Sequence, residues 1–251
     1  MIDFKNKVAV VTGGGRDIGK HVSLELARYG ASVAVNYRQS KKEAEATVRD
    51  IKDQGGNAVA IQADVTKAAD IQAMVKKTQE ALGKAIHILV NVTGGLVARK
   101  KMEEMDEAFW DEVMAINVKS AFLVCKAVLP VMADGGSIIN FSSQAGRDGG
   151  GPGAIAYATA KGAILTFTRG LAKELGPRKI RVNAVSPGMI NTTFHDTFTK
   201  PEVRQRVASM VPLGREGTAV EVARLVAFLA SDAAPYVNGE SVEINGGIFF
   251  S

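Results

Sequence analysis

Short apolar runs alternate with stretches of helical periodicity along the chain. Most of these runs are rich in valine, isoleucine and alanine and are followed by a polar or glycine turn. They are apolar at successive positions, as in strands that are buried on both faces. The pattern predicts a single α/β domain over residues 1–251, with a doubly wound parallel sheet, helices on both faces and seven strands: 7–12, 32–36, 58–62, 86–91, 137–141, 181–185 and 241–244.

The helical stretches lie between these strands. One glycine-rich tract, residues 146–153, interrupts the alternation, but it is too short to be a flexible linker between domains. The predicted helices are a first one ending at Tyr29 and those over 41–53, 67–82, 107–132, 155–175, 202–210 and 220–230.

Composition excludes several classes of protein. Hydrophobic residues make up 46% and charged residues 23%, which is typical of a globular protein. The single cysteine, Cys125, excludes an intramolecular disulfide, and three histidines far apart in sequence give no basis for a metal site. The formal net charge of +5 arises from short basic clusters without interleaved aromatic residues, so no nucleic-acid partner is expected.

The chain has no sequence signal for a membrane or for secretion. Its apolar runs are far shorter than the roughly 20 residues of a membrane span. The first residues mix acidic and basic side chains and differ from a secretory signal. We therefore expect a cytoplasmic protein.

A glycine-rich turn, TGGGRDIG, follows the first predicted strand and leads into a helix. Such a turn lets the backbone approach a pyrophosphate at the helix N-terminus. The turn resembles the T-G-x-x-x-G-x-G pattern of the short-chain dehydrogenase/reductase family, a Rossmann fold, although Asp17 replaces the middle glycine. We expect Asp17 to cap the helix; the alternative is a turn that no longer binds a dinucleotide. The expected cofactor contacts here are Gly13, Gly15, Arg16, Asp17, Ile18 and Gly19.

The end of the second strand indicates which dinucleotide is bound. An acid there binds the ribose of NAD, whereas arginine suits the 2′-phosphate of NADP. This chain has Asn36, Tyr37 and Arg38, and Arg16 lies in the glycine turn. Because two arginines are present and no acidic residue stands at this position, the sequence predicts NADPH/NADP as the cofactor. The alternative is that both arginines are ordinary surface residues.

Further cofactor contacts are implied by the family resemblance. Asp64 and Val65 follow the third strand and resemble the pair that contacts adenine. Asn91 and Gly94 keep the ends of the family's N-N-A-G motif. The segment SPGMINT resembles the one that holds the nicotinamide, which implies contacts from Pro187, Gly188, Ile190 and Thr192.

Tyr157 and Lys161 stand four residues apart on a predicted helix, so they share one face. A nearby ammonium favours the phenolate and brings a poor acid closer to a useful pKa. In the family resemblance, Ser143 and Asn117 complete the catalytic set. It implies that Tyr157 gives a proton to the alkoxide, Ser143 binds the carbonyl oxygen, Lys161 binds the nicotinamide ribose and Asn117 holds a water.

The resemblance implies an NADPH-dependent reductase of a small-molecule carbonyl substrate, most similar to 3-oxoacyl-carrier-protein reductases. The segment LPVMADGGS lacks the basic residues that such enzymes use for their acidic carrier. Gln144, Arg147 and His195 instead suggest a small polar substrate, such as a keto sugar or a uronate-derived keto acid. The alternative from a different functional class is a protein that binds NADP as a sensor and has no catalytic activity.

Two further expectations concern assembly and motion. Family members associate through the helices that correspond to 107–132 and 155–175, so we expect a homotetramer. Residues 190–212 begin with NTTFHDTFTK, which has no clear period, and are predicted to form a mobile lid over cofactor and substrate. The alternative is a permanently packed helical excursion.

Overall fold

The computed structural model describes residues 2–250. Seven of its strands form one parallel sheet: β1 Val8–Thr12, β2 Ser32–Tyr37, β3 Asn57–Gln62, β4 Ile86–Asn91, β5 Met132–Phe141, β6 Arg181–Pro187 and β9 Ser241–Ile244. Their order is β3-β2-β1-β4-β5-β6-β9. Two short strands, β7 Ile190–Asn191 and β8 Gly217–Thr218, pair separately. The seven-stranded parallel sheet is confirmed, and six strands agree with their predicted bounds within two residues.

Helices cover both faces of the sheet, as predicted. They are α1 Asp17–Arg28, α2 Lys41–Asp53, α3 Ala68–Leu82, α4 Glu107–Met114, α5 Ser120–Val128, α6 Ala145–Asp148, α7 Ile155–Leu175, α8 Thr193–Phe198, α9 Pro201–Met210 and α10 Ala219–Ala230. Buried residues of α1, α2 and α10 pack on one face, and those of α3, α5 and α7 pack on the other. Burial of these apolar faces is the main favourable contribution to folding.

The predicted helix over 107–132 is interrupted and shorter. A π-helical turn, Ala115–Lys119, separates α4 from α5, and a 3-10 turn over Leu129–Val131 ends the segment. Pro130 has no backbone N–H for a further α-helical turn. Met132 consequently belongs to β5, where it pairs with Ile86.

One helical segment within residues 2–250, Glu107–Val131, is long and apolar enough by length and composition to cross a membrane. Core helices of soluble proteins share these properties. In this fold the segment packs into the domain, with Val113, Val124 and Val128 buried.

The carboxyl ends of β1, β4, β5 and β6 meet at one edge of the sheet. The segments that connect consecutive strands cross one face of the sheet on one side of the β1–β4 pair and the opposite face on the other side. This change of face creates a crevice at the β1–β4 pair. Residues 190–212, here called the lid segment, lie over this edge and contain α8 and α9. The lid segment starts with a short helix, Thr193–Phe198, although its sequence has no clear period.

Candidate active site

The glycine turn packs more closely than any side chain would allow. Gly13 has φ +62, a backbone conformation that favours glycine, and a Cβ on Gly19 would lie 2.0 Å from the Gly13 carbonyl oxygen. Gly15 approaches Ala44 of α2, where a Cβ would lie 2.8 Å from the Ala44 Cα. The turn therefore brings bare backbone to the start of α1, which suits a phosphate group.

Asp17 does not cap α1, so that prediction is wrong. Its φ is +49, and Arg16 occupies the N-cap position. The carboxylate instead accepts hydrogen bonds from Thr193 N at 3.0 Å and Thr193 Oγ1 at 2.6 Å. Asp17 thus connects the glycine turn to the lid segment.

Asn36 holds the scaffold together. Its side chain is 2% exposed, and its Nδ2 donates to the carbonyls of Ile61 at 3.3 Å and Ala63 at 3.1 Å. Its Oδ1 accepts from Gly13 N at 3.2 Å. The side chain expected to replace a ribose-binding acid is therefore committed to β3 and the glycine turn.

Arg16 and Arg38 both line the cavity beside the glycine turn. The Arg16 side chain is 64% exposed, and its Nε lies 3.9 Å from the Asp17 carboxylate. Burial favours a raised pKa for Asp64, but hydrogen bonds from Thr66 and the charges of Arg38 and Lys67 outweigh it and lower the pKa. Positive potential thus surrounds the end of the cavity where a 2′-phosphate is expected.

Sequence reasoning noted Ser40 near the arginines but missed two lysines. Lys41 and Lys42 are the first residues of α2 and also line the cavity. The signal was present, since both lysines lie within four residues of Arg38 in the sequence. Together with Arg38 they form a basic rim.

Tyr157, Ser143 and Lys161 meet at the other end of the cavity. Ser143 and Tyr157 line the same part of the cavity, and the Lys161 Nζ lies 5.7 Å from the centre of the Tyr157 ring. Ser142, the neighbouring hydroxyl, is buried and donates to the Lys161 carbonyl at 2.8 Å. Ser143 is therefore the serine that faces the cavity.

Burial governs the acidity of both ionisable groups. It raises the pKa of Tyr157, and the neighbouring Ser143 side chain opposes that rise only in part. Burial also lowers the pKa of Lys161 to about 8, while its Nζ donates to the Phe141 carbonyl at 2.8 Å. In this form of the protein Tyr157 is thus a protonated phenol, the state required of a proton donor.

Asn117 lies behind this group, within the π-helical turn. Its Nδ2 donates to the carbonyls of Gly95 at 2.8 Å and Val113 at 2.9 Å, and its Oδ1 accepts from Gly95 N. A Cβ on Gly94 would lie 2.6 Å from the Asn117 Oδ1 and 2.8 Å from the Lys161 Nζ. The glycine therefore keeps open the space between amide and ammonium. π-Helical turns occur frequently at functional sites.

Aromatic side chains from the lid segment cover the tyrosine. The Phe194 ring lies 6.0 Å from the Tyr157 ring and 5.1 Å from the Phe198 ring, measured between centroids. His195 contacts Phe194 and shares a hydrogen bond with the Thr199 hydroxyl, and burial lowers the pKa of His195. The space in front of the phenol is thus bounded mainly by apolar surface.

Most of the predicted site residues face this one cavity. It has a volume of about 1280 Å³, larger than the roughly 300–1,000 Å³ of ordinary small-molecule pockets. Its walls include these predicted residues: Gly13, Arg16, Asp17, Ile18, Gly19, Asn36, Tyr37, Arg38, Asp64, Val65, Gly94, Ser143, Gln144, Tyr157, Lys161, Pro187, Gly188, Ile190, Thr192 and His195.

Four predicted residues lie behind the wall. Gly15 packs on α2 and Asn117 supports Gly95, as described. Asn91 is buried and donates to the Asn140 Oδ1 at 2.9 Å. Arg147 forms a largely buried ion pair with Glu243 at 3.0 Å, which removes it from a direct substrate role. Sequence spacing could not reveal this pair, because 96 residues separate its members.

The chain matches known proteins along nearly its whole length. A family model described as enoyl-(acyl carrier protein) reductase matches residues 13–249. The 3-oxoacyl-[acyl-carrier-protein] reductase of Staphylococcus aureus is 39% identical over 245 residues, which cover 97% of this chain and 98% of that protein.

Solved structures share the fold. A short-chain dehydrogenase/reductase from Serratia marcescens has a TM-score of 0.91 and 36% identity, covering 98% of each chain. A blue fluorescent protein from a metagenomic library, solved in complex with NADPH, has a TM-score of 0.92 and 35% identity, covering 99% of this chain and 100% of the other. The glycine turn and the tyrosine and lysine on one helix face agree with these matches. The chain belongs to the short-chain dehydrogenase/reductase family of oxidoreductases.

Proposed function

We propose that the protein is an NADPH-dependent ketoreductase. The observation that carries this proposal is one continuous cavity with Arg16 and Arg38 at one end and Ser143, Tyr157 and Lys161 at the other. The related protein of known structure that contains NADPH supports the choice of cofactor. The proposed site residues are the predicted residues that line the cavity, together with Asn117 behind them.

The residues present fit NADPH. The Gly13 and Gly19 backbone offers a close approach for a pyrophosphate, and Arg16 and Arg38 offer charge for a 2′-phosphate. Pro187, Gly188 and Thr192 would hold the nicotinamide at the opposite end. When bound, NADPH supplies the hydride.

The proton follows a path through this chain's own residues. Ser143 and Tyr157 would hydrogen-bond the substrate carbonyl oxygen, and the Tyr157 hydroxyl would give its proton to that oxygen as negative charge develops. The Lys161 Nζ would bind the nicotinamide ribose and stabilise the phenolate. Asn117, beside the Lys161 Nζ across Gly94, would orient a water that restores the proton.

The cavity favours a ketone with an apolar substituent. Phe194 and Phe198 face the space before Tyr157, and Leu96 and Val207 extend the apolar lining. The polar residues expected to hold a sugar are paired internally, Gln144 with Asp148 at 2.9 Å and Arg147 with Glu243. We therefore place 3-oxoacyl-type substrates before keto sugars and keto acids.

A turnover screen of the purified protein with NADPH tests this proposal. The panel would contain 3-oxoacyl thioesters, keto sugars and uronate-derived keto acids at equal concentrations. We expect the highest kcat/KM with a 3-oxoacyl thioester. The highest kcat/KM with a keto sugar would favour the second candidate, and NADPH binding without turnover of any ketone would favour a dinucleotide sensor.

We also propose that the enzyme works in the cytoplasm as a homotetramer. Phe122 on α5 is 46% exposed and Ile155 on α7 is 47% exposed, which leaves apolar surface on the two helices where family members associate. Sedimentation at micromolar concentration should give four times the chain mass. Phe122→Asp with Ile155→Asp should reduce this mass, whereas Met102→Asp, at another exposed apolar residue, should not. Monomers of the unmutated protein would contradict the proposal.

The lid segment should become ordered over bound ligands. All residues of α8 and α9 are half-buried or exposed, so little apolar packing holds them in place. Hydrogen exchange in the lid segment should slow when NADP and substrate saturate the protein, while exchange in β4 stays unchanged. Equal exchange with and without ligands would instead indicate a permanently packed excursion.

A further inference from the structure

The lid segment is joined to the rest of the domain by a small set of polar contacts. The Arg204 guanidinium of α9 pairs with Asp196 of α8 and with Glu216, the residue before β8. The Arg99 Nε donates to the Phe198 carbonyl at 3.1 Å at the end of α8. The start of α8 has a separate attachment, through Thr193.

That attachment is the Asp17–Thr193 bridge. One carboxylate oxygen of Asp17 accepts from Thr193 N at 3.0 Å, and the other accepts from Thr193 Oγ1 at 2.6 Å. The two residues are 176 positions apart, and both line the cavity. Thr193 is the first residue of α8, where backbone N–H groups have no partner within the helix. The Asp17 carboxylate thus caps α8 of the lid segment instead of α1, the helix to which Asp17 belongs.

The backbone at Asp17 makes this reach possible. Its φ of +49 is a left-handed conformation that glycine adopts most readily and that aspartate tolerates better than most residues. A glycine here, as in the family pattern, has no side chain to extend to Thr193. An anionic side chain beside a pyrophosphate site opposes cofactor binding, since like charges repel. Arg16 offsets this charge only partly, because its Nε lies 3.9 Å from the Asp17 carboxylate.

We infer that Asp17 is a positioning residue that holds α8 over the cavity and thereby slows dissociation of the dinucleotide. The bridge joins the glycine-turn wall to the lid wall, so a cofactor leaving between them must break it. Its effect on dissociation rests on the proposed NADPH binding. Its effect on α8 is a property of the protein without cofactor and can be measured separately.

Hydrogen exchange of the full-length protein without cofactor tests the bridge. Asp17→Gly suits the backbone conformation and removes both hydrogen bonds, so exchange in α8 should rise at least tenfold. Asp17→Asn keeps an acceptor and the backbone preference, and should restore part of the protection. Unchanged α8 exchange in Asp17→Gly would overturn the inference.

Two threonine variants provide matched controls on the same helix. Thr193→Val removes the hydroxyl that reaches Asp17, and Thr197→Val removes a hydroxyl that bonds the Thr193 carbonyl at 2.8 Å. Thr193→Val should speed α8 exchange more than Thr197→Val does. Combined with Asp17→Gly, it should add little, because the same bridge is already broken. Full additivity would contradict a shared contact.

The dissociation rate of NADPH tests the consequence. Stopped-flow displacement should show release at least fivefold faster from Asp17→Gly than from the unmutated protein, with Asp17→Asn close to the latter. Removing the Asp17 charge by itself would slow release, because it relieves repulsion of the pyrophosphate. Release from Asp17→Gly that is no faster than from the unmutated protein would therefore overturn the positioning role. If the unmutated protein fails to bind NADPH, the proposed function fails while the exchange result still decides the bridge.

Discussion

Replacing Tyr157 with phenylalanine should lower kcat about 10²–10⁴-fold, the contribution of a positioned general acid. The hydroxyl is the proposed proton donor, and phenylalanine has no polar atom in its place. Its loss removes stabilisation of the transition state rather than of the bound ground state. The dissociation constant for NADPH should therefore change less than about twofold, well under the 1.4 kcal/mol of a tenfold change.

Tyr236→Phe is the matched control, because this tyrosine is fully exposed and lies outside the cavity walls. It should retain the unmutated kcat. The pH profile gives a second test, since burial raises the Tyr157 pKa above its ordinary value. A proton donor with a raised pKa stays protonated through neutral pH, so reduction should weaken only in the alkaline range. A Tyr157→Phe variant that keeps a tenth or more of kcat would contradict the assigned role.

The protein should prefer NADPH over NADH, and replacing Arg16 and Arg38 together with alanine should remove the preference. Hydrogen bonds to charged groups contribute about 1.5–3 kcal/mol each, so losing two of them should lower kcat/KM for NADPH about 10²–10⁴-fold, mostly through KM. NADH has no 2′-phosphate for these guanidinium groups to bind. Its kcat/KM should therefore stay within about threefold, since surface substitutions usually change free energies by less than 0.5 kcal/mol.

Arg49→Ala controls for the loss of positive charge, because Arg49 is exposed on α2 and outside the cavity walls. It should leave both values of kcat/KM unchanged. Raising the salt concentration should weaken NADPH binding in the unmutated protein more than in the double variant. Equal kcat/KM for NADPH and NADH in the unmutated protein would refute the assignment of the arginines.

Local patterns in the sequence were sufficient for much of this site. Strand spacing predicted the sheet, because apolar runs between helical stretches admit few arrangements. The Tyr157 and Lys161 pair could be placed on one helix face because its geometry depends only on a spacing of four. These features involve residues that are near one another in the chain.

Contacts between distant segments could not be read from the sequence. Asp17 reaches Thr193, and Arg147 reaches Glu243, through folding that brings remote positions together. The helix over Thr193–Phe198 lacks apolar periodicity, since it covers a cavity instead of packing into the core. Its sequence therefore has no clear period from which this helix could be predicted.

The buried amide of Asn36 limits how the cofactor preference could be redesigned. A conventional conversion toward NADH would install a carboxylate at the end of β2, and Asn36→Asp is the conservative choice by size. That carboxylate would face the carbonyls of Ile61 and Ala63, to which the amide now donates. The carboxylate oxygens and these carbonyl oxygens are all acceptors, and they would face one another at a residue that is only 2% exposed. Asn36→Asp would therefore destabilise the glycine turn without providing a contact to the ribose. Engineering should begin at Tyr37, the next residue along β2, which lines the cavity.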